Sequence, residues 1–301
     1  MISMSAAVLQ AQWPQLFSWG DGCLSADLEV CPPSGEAIRD MYFNRSRCYL
    51  RGKNKEYAMH KTYQEEFLVR TSDCDFMGTL RPSAIMQIMQ ELAGTHSELL
   101  GCGRNALMQH NIVWVLNRCE IHMDKYPKIG DRITAETFPT ANRRWFFPRY
   151  YFFRDEEGST LGCAATLWAL LDIQNRRMLP PGDVAKILPD NADLPVPIGL
   201  PATVDTVEGE EKTLWRKPVY FDLDVNQHVN NTRYADWACD ALGVEIMSKY
   251  CLETILVNYD AEVLPDQEIT LRVYKNGLNY RVAGYHEDKL HFELGGKLRE
   301  R

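Results

Sequence analysis

The chain has 301 residues and a formal net charge of −8, with 45% hydrophobic and 25% charged residues. This length suffices for two ordinary domains or one large one, and the composition is that of a soluble globular protein. The acidic balance argues against general affinity for nucleic acid or for an anionic membrane. No apolar run approaches the roughly 18 residues that a membrane span needs.

Cysteine usage and the first residues of the chain predict a cytoplasmic protein. The nine cysteines form no C-x-x-C pair, and most lie in apolar runs, as Cys163 and Cys239 do. That pattern favours reduced, buried thiols over a disulfide framework. Residues 1–20 contain no charged side chain, so they lack the basic region of a secretory signal and the arginines of a transit peptide.

The predicted elements begin after residues 1–58, which show no clear period. We interpret these residues as an extension of uncertain structure, with Met59 as a possible alternative start. A helix is predicted at 81–101, because Pro82 suits the first turn of a helix and Gly101 suits its end. The segments around it are rich in aromatic and β-branched residues, which favours an antiparallel sheet. The predicted strands are 62–70, 112–123, 131–139, 145–155 and 160–172.

The second half of the chain repeats the first after a Pro-rich linker, predicted at 187–210. Aligning Asp75 with Asp224 places "SDCDFMGTLRPSAIMQ" over "FDLDVNQHVNNTRYAD", each ahead of a long helix. The sequence therefore predicts an α+β protein of two units, residues 59–186 and 211–301. In each unit a long helix packs on a curved antiparallel sheet.

Only the second copy carries a series of polar residues at every second position. The series is Asp222, Asp224, Asn226 and His228, and the first copy has Met77 and Thr79 in place of its last two members. A period of two brings alternate side chains to the same side of an extended segment. An acid, an amide and an imidazole that face one pocket suit a general base and an electrophile. The series leads into a helix predicted at 232–242, whose N-terminal N–H groups and dipole favour developing negative charge.

Two other interpretations of this series are calcium binding and simple chain turning. An EF-hand loop counted from Asp222 needs Gly at its sixth position and Glu at its twelfth, but the chain has Gln227 and Arg233 there. The calcium interpretation therefore fails. Capping and turn formation are the favoured interpretation for Asp222, Asn230 and Asn231. For the other members of the series, turning and catalysis both stay open, and the sequence predicts no metal and no cofactor.

Three stretches of the chain carry a recognisable signature. They are "DLDVNQHVNNTRYADW" (222–237), "IVWVLNRCEIHMDKYPKIGD" (112–131) and "NRRWFFPR" (142–149). Together they closely resemble the acyl-ACP thioesterases, which hydrolyse the thioester between a fatty acyl chain and acyl carrier protein. The resemblance covers roughly residues 59–299 and implies an α+β fold of two tandem hotdog domains, the second of them catalytic.

The resemblance also implies catalytic roles for Asp224, Asn226 and His228, and for Glu262 in "VNYDAEVLPDQE". Plant members of the family carry a cysteine, once proposed as a nucleophile, at the position of Val263, so direct attack by water is predicted here. Glu262, or His228 held by Asp224, is expected to take a proton from that water, while Asn226 stabilises the thioester oxygen. The choice between Glu262 and His228 as the base stays open.

The resemblance further implies substrate-binding residues, with the first hotdog unit shaping the preference for chain length. The predicted walls of an apolar acyl tunnel are Ile85, Met86, Met89 and Trp114, although ordinary core packing is the favoured interpretation for any one of them. Three arginines are predicted to meet the acidic carrier protein, with a solvated strand face as the alternative. They are Arg143, Arg144 and Arg149.

The leading hypothesis is a cytoplasmic acyl-ACP thioesterase that releases free fatty acid and so ends chain elongation. Its predicted partner is acyl carrier protein, which presents the acyl chain as a phosphopantetheine thioester. One alternative is a thioesterase that acts on acyl-CoA, and another is a non-catalytic module that binds acyl thioesters. The chain is expected to be a monomer whose two units form a pseudo-dimer, or a homodimer of such monomers.

Overall fold

The structure is a computed structural model, and it describes residues 60–301. The prediction for residues 1–58 lies outside the described residues. In the first half the elements are β1 (Tyr63–Leu68), α1 (Pro82–Leu99), α2 (Arg104–Met108), β2 (Ile112–Met123), β3 (Arg132–Pro139), β4 (Phe147–Asp155), β5 (Thr160–Asp172), β6 (Arg177–Leu179) and α3 (Val184–Ile187). In the second half they are β7 (Glu210–Arg216), α4 (Arg233–Leu242), α5 (Val244–Lys249), β8 (Tyr250–Tyr259), β9 (Ile269–Asn276), β10 (Asn279–His286) and β11 (Lys289–Glu300).

The strands of both halves share one sheet, in the order β1-β3-β4-β5-β2-β8-β11-β10-β9-β7, with β6 beside β5. The halves join where β2 pairs antiparallel with β8, from Arg118 opposite Asn258 to His122 opposite Thr254. Counted outwards from this joint, the first half runs β2, β5, β4, β3, β1 and the second half runs β8, β11, β10, β9, β7. Corresponding strands of the two halves therefore occupy corresponding places in the sheet. The repeat read from the sequence is therefore a repeat of structure as well.

The two long helices pack on this sheet and share one hydrophobic core. Helix α1 confirms the prediction at 81–101, and α4 confirms the prediction at 232–242. Each buries an apolar stripe, as Leu92 and Trp237 show by being fully buried in the same cluster. Helix α4 ends at Gly243, whose φ of 92° lies in a region that favours glycine.

The Pro-rich segment between the halves packs against the first half of the sheet. Leu194 and Ile198 cover a small cluster formed by Phe138, Tyr150 and Ala165. Further along, the backbone N–H of Ala202 donates to the Glu120 carboxylate at 2.9 Å. The connection is therefore packed against the first half from Leu194 to Ala202. Within residues 60–301, the structure has no helix that is both long and apolar enough to cross a membrane.

Candidate active site

The polar series of the second half lies on a tight turn ahead of α4. Leu223 and Val229 pair across the base of this turn as an isolated antiparallel bridge. The backbone N–H of Asp224 donates to the His228 carbonyl at 2.9 Å, and Gln227 adopts a φ of 64° at the corner. The sequence-based expectation of an extended segment is therefore wrong. A turn, not a strand-like period of two, brings these residues together.

The Asp224 carboxylate organises this turn. Its Oδ1 accepts the backbone N–H of Asn226 at 2.8 Å and that of His228 at 3.4 Å. Its Oδ2 accepts the side-chain amide of Asn226 at 3.3 Å. An amide nitrogen has two protons, so this bond orients Asn226 and leaves one proton for another acceptor.

The corresponding turn of the first half shows which of these features belong to the backbone. There the Asp75 carboxylate accepts the N–H groups of Met77 at 2.9 Å and Thr79 at 3.0 Å, and Gly78 supplies the positive φ of 75°. The same turn thus forms without an Asn or a His. Turn formation therefore explains the backbone contacts of Asp224, and the second copy adds the Asn226 amide and the imidazole.

The His228 imidazole faces a carboxylate from a distant part of the chain. Its Nδ1 lies 3.5 Å from Oε2 of Glu262, with 12% of the His228 side chain and 42% of the Glu262 side chain exposed. A backbone hydrogen bond from Val229 N–H to the Val263 carbonyl, at 2.9 Å, fixes the two segments side by side. The separation exceeds that of a good hydrogen bond, so a small movement of either side chain would complete the contact.

The surroundings of Glu262 favour its protonated form more than water does. Although part of its side chain is exposed, burial is the largest influence and raises the pKa of Glu262 above the ordinary 4.5. The nearby charge of Asp224 raises this pKa further, while His228 and Arg176 act to lower it. A carboxylate with a raised pKa is a stronger base than an ordinary glutamate, which suits proton abstraction near neutral pH.

The first amides of α4 contribute less than the sequence predicted. Thr232 is the N-cap residue of the helix, and its N–H donates to the Asn230 side chain at 3.0 Å. The N–H groups of Arg233 and Ala235 donate to the carbonyls of Asn230 and Thr232. These three N–H groups are occupied inside the protein, so the Asn226 amide is the better candidate to donate to an oxygen that gains negative charge.

Two family models match this chain in tandem. The acyl-ACP thioesterase N-terminal domain matches residues 60–186, and the acyl-ACP thioesterase C-terminal domain matches residues 206–295. Together they cover more than half of the chain. The chain belongs to the acyl-ACP thioesterase family.

Named members of this family are distant relatives in sequence. Oleoyl-acyl carrier protein thioesterase 1, chloroplastic, of Arabidopsis thaliana is 25% identical over 69% of this chain and 62% of its own length. Palmitoyl-acyl carrier protein thioesterase, chloroplastic, of the same plant is 28% identical over 66% of this chain and 52% of its own length. The chain thus spans between about half and three fifths of the length of these curated relatives.

Solved structures of the family have the same fold. An acyl-ACP thioesterase from Bacteroides thetaiotaomicron has a TM-score of 0.71 at 24% identity, over 79% of this chain and 98% of its own. The 12:0-ACP thioesterase from Umbellularia californica has a TM-score of 0.69 at 20% identity, over 80% of this chain and 98% of its own. These similarities confirm the predicted α+β fold of two tandem hotdog domains.

The residues predicted for the acyl tunnel of this thioesterase fold lie in different places. Met86 and Met89 line a narrow cavity of about 20 Å³ together with Asn231 and Thr232, which lead into α4. The other residues that line it are Gln90, Leu116, Cys119, Tyr151, Thr166 and Trp168. Ile85 is fully buried in the main core.

Trp114 lies in a separate cluster in the first thioesterase domain. Its ring meets Phe147 edge-on at 5.0 Å, and its indole N–H donates to the Cys102 carbonyl at 2.9 Å. Leu107 and Leu170 complete the buried part of that cluster. These contacts give Trp114 a packing role of its own.

The three arginines predicted to meet the carrier protein separate into two kinds. Arg143 and Arg144 are exposed on the hairpin between β3 and β4, where Arg144 has a φ of 55°. Arg149 is only 5% exposed, and its guanidinium donates to His96 Nδ1 at 3.0 Å and to Thr137 Oγ1 at 3.3 Å. A side chain held inside the fold does not reach a docking protein, so the prediction for Arg149 is wrong.

Most thiols of the described residues are poorly suited to nucleophilic attack. Val263, at the position of the plant cysteine, is fully buried. The Cys251 thiol lies 3.6 Å from the Arg299 carbonyl. Burial raises the pKa of Cys102 and of Cys163 to about 11, which leaves little thiolate at neutral pH.

Sequence reasoning missed two residues that act on Glu262. Arg176, on the turn between β5 and β6 of the first domain, contributes a positive charge that acts to lower the pKa of Glu262. His291, on β11, contacts the Glu262 backbone with its imidazole at 2.7 Å. In the sequence His291 is a single histidine in an apolar strand, and Arg176 belongs to a polar turn. Neither context signals a site, because the contact with Glu262 exists only in the folded chain.

Proposed function

We propose that this protein hydrolyses the thioester of fatty acyl-ACP and releases free fatty acid, which ends elongation of the acyl chain. The observation that carries the proposal is the pairing of His228 Nδ1 with Glu262 Oε2 at 3.5 Å, beside the turn that presents Asn226. Membership of the acyl-ACP thioesterase family supports it, as do the relatives named for oleoyl- and palmitoyl-carrier-protein thioesters.

In the proposed mechanism, Glu262 is the general base. Its side chain is more exposed than that of His228, so water reaches it more readily, and burial raises its pKa. Glu262 takes a proton from water, and the resulting hydroxide oxygen forms a bond to the thioester carbon. The Asn226 amide donates to the carbonyl oxygen as it gains charge. The carbon–sulfur bond then breaks, and the sulfur receives the proton from Glu262, which yields a carboxylic acid and a free thiol.

His228 supports this step from beside the carboxylate. When protonated, its imidazolium favours the charged form of Glu262, which counteracts burial. The Asp224 carboxylate holds the Asn226 amide in orientation, so that less freedom is lost when the substrate binds. The proposed roles are therefore base for Glu262, charge partner for His228, oxyanion donor for Asn226 and loop organiser for Asp224.

The cavity lined by Met86, Met89, Asn231 and Thr232 is the proposed start of the acyl channel. It lies between α1 of the first half, through Met86 and Met89, and the segment Asn231–Thr232, which closely follows His228. Its volume of about 20 Å³ holds roughly one water, so an acyl chain has to displace the side chains around it. Methionine adapts well to such displacement, which supports Met86 and Met89 as channel walls.

Acyl carrier protein is the proposed partner, and the exposed hairpin with Arg143 and Arg144 is the proposed contact. With a net charge of −8, this chain needs a local basic surface to meet an acidic carrier. We expect the variant R143E/R144E to raise KM for acyl-ACP several-fold while leaving hydrolysis of acyl-CoA unchanged. Equal kinetics of the parent and this variant on acyl-ACP would remove the hairpin from the proposal.

The cellular location and the assembly are proposed on similar grounds. The cysteines of the described part, Cys74 and Cys251 among them, are free thiols, which supports a reducing compartment such as the cytoplasm. The two halves join through β2 and β8 in one sheet, which supports a monomer in which they take the place of two subunits. Light scattering of the purified protein distinguishes this monomer from a homodimer.

A panel of acyl-ACP and acyl-CoA substrates of varied chain length tests the proposed activity, with released fatty acid as the readout. Turnover of acyl-ACP that depends on His228 and Glu262 supports the proposal. A clear preference for acyl-CoA at equal concentration would change the substrate class. Binding of acyl-ACP without turnover would instead identify a non-catalytic binding module.

A further inference from the structure

The strand β11 carries a β-bulge next to the segment that holds Glu262. In the pairing of β10 with β11, Gly284 lies opposite Phe292 and Tyr285 lies opposite Leu290. His291 is therefore the extra residue of β11 at this point. Bulges of this kind redirect a side chain or a backbone group and are frequent next to active sites.

His291 binds the segment before and at Glu262 with both its backbone and its ring. Its carbonyl oxygen accepts the N–H groups of Asp260 and Ala261, each at 2.9 Å. Its ring nitrogen Nδ1 lies 2.7 Å from the carbonyl oxygen of Glu262. Because a carbonyl only accepts, Nδ1 has to carry the proton in this contact.

The imidazole of His291 is neutral at physiological pH and incompletely satisfied. It is fully buried, and this burial lowers its pKa to about 4. With the proton on Nδ1, the other ring nitrogen, Nε2, is an acceptor, and it has no hydrogen-bond partner among residues 60–301. A buried polar atom without a partner is energetically unfavourable. An apolar side chain would avoid that cost but would leave the Glu262 carbonyl without this donor, so the histidine serves the backbone at Glu262.

We propose that His291 is a positioning residue for Glu262. By donating to the Glu262 carbonyl it fixes the backbone from which the carboxylate reaches His228. This inference rests on the proposed hydrolase function and on Glu262 as its base. Misplacement of a catalytic group by about 1 Å can cost on the order of a hundredfold in rate, so loss of the tether should reduce kcat more than substrate binding.

The test compares substitutions of His291 in the full chain with acyl-ACP as substrate. In H291N the amide nitrogen matches Nδ1 and keeps the donor, whereas H291L removes it and H291Q places it one bond further along. We expect H291L and H291Q to lose about tenfold or more in kcat with KM within about twofold, and H291N to stay within about threefold of the parent.

The matched control is the neighbouring histidine on β10. His286 also places Nδ1 at 3.0 Å from a backbone carbonyl, that of Glu268, and its ring lies 6.0 Å from that of His291. H286L should therefore leave kcat unchanged. Thermal unfolding of every variant separates a loss of fold from a loss of rate, and if H291L does not fold, the comparison of H291N with H291Q decides.

Three results would overturn this inference. The first is a kcat of H291L and H291Q within twofold of the parent. The second is a loss of kcat in H291N as large as that in H291Q. The third is a loss of kcat in H286L as large as that in H291L. Failure of the underlying function looks different, since the parent itself would then release no fatty acid, or E262Q would be as active as the parent.

Discussion

Replacing Glu262 with Gln tests the proposed chemistry most directly, because it removes the charge and keeps the shape. If Glu262 were only the partner of His228 in a partly exposed ion pair, its loss would cost about 0–1 kcal/mol, which is at most about fivefold in rate. A general base contributes about 10²- to 10⁴-fold, or about 3–5 kcal/mol of transition-state stabilisation. The contact at 3.5 Å and the exposure of 42% allow both roles, and the size of the effect separates them.

The assay is steady-state hydrolysis of acyl-ACP by the parent, E262Q and the control variant E253Q. Glu253 is 31% exposed and lies 3.6 Å from Arg299 and 3.7 Å from Lys297, so it is a comparable ion-paired glutamate. We expect kcat/KM to fall by at least about a hundredfold in E262Q and by less than about twofold in E253Q. A loss below about tenfold in a folded E262Q would refute the assignment of Glu262 as the base.

Three further predictions concern pH, stability and thiols. The kcat/KM profile should fall on the acid side at a pH above 4.5, because burial raises the pKa of Glu262, the proposed base. D224N should move that fall to lower pH, because it removes a charge that raises this pKa. D222A should lower the free energy of unfolding, measured in urea, by about 2–4 kcal/mol. The buried Asp222 carboxylate accepts the Trp237 indole N–H at 3.2 Å and lies 3.6 Å from Arg216. A change below about 0.5 kcal/mol would contradict this stabilising role of Asp222. Mass spectrometry during turnover should detect no acyl-cysteine, and finding one would rule out direct attack by water.

Local patterns in the sequence were sufficient for the helices and for the repeat. The helical period of the apolar residues and the glycine at the end of each helix are local signals, and α1 and α4 follow them closely. The alignment of Asp75 with Asp224 likewise survives, because both carboxylates build the same turn. Hydrogen bonds from a side chain to the backbone two to four residues away need no distant partner, so such turns can be predicted from the sequence.

The geometry of the site could not be predicted from local patterns in the sequence. The alternation of polar residues from Asp222 to His228 suggested an extended segment, but the backbone turns at Gln227. Period-two spacing alone does not distinguish a strand from a turn when aspartate and asparagine bind their own backbone. Arg149 shows that a charged residue in the sequence does not have to lie on the surface. Its guanidinium is buried, where it donates to His96 and Thr137.

The sequence by itself determined the elements, their duplication, the family and the residue types available for catalysis, since all of these depend on neighbours along the chain. The tertiary structure alone decided that Glu262 faces His228, that Arg176 of the first half acts on the same carboxylate, and that His291 holds its backbone. These contacts form only when the strands of both halves pair in one sheet and α4 packs on it, because strand pairing and side-chain packing join segments that lie far apart in sequence.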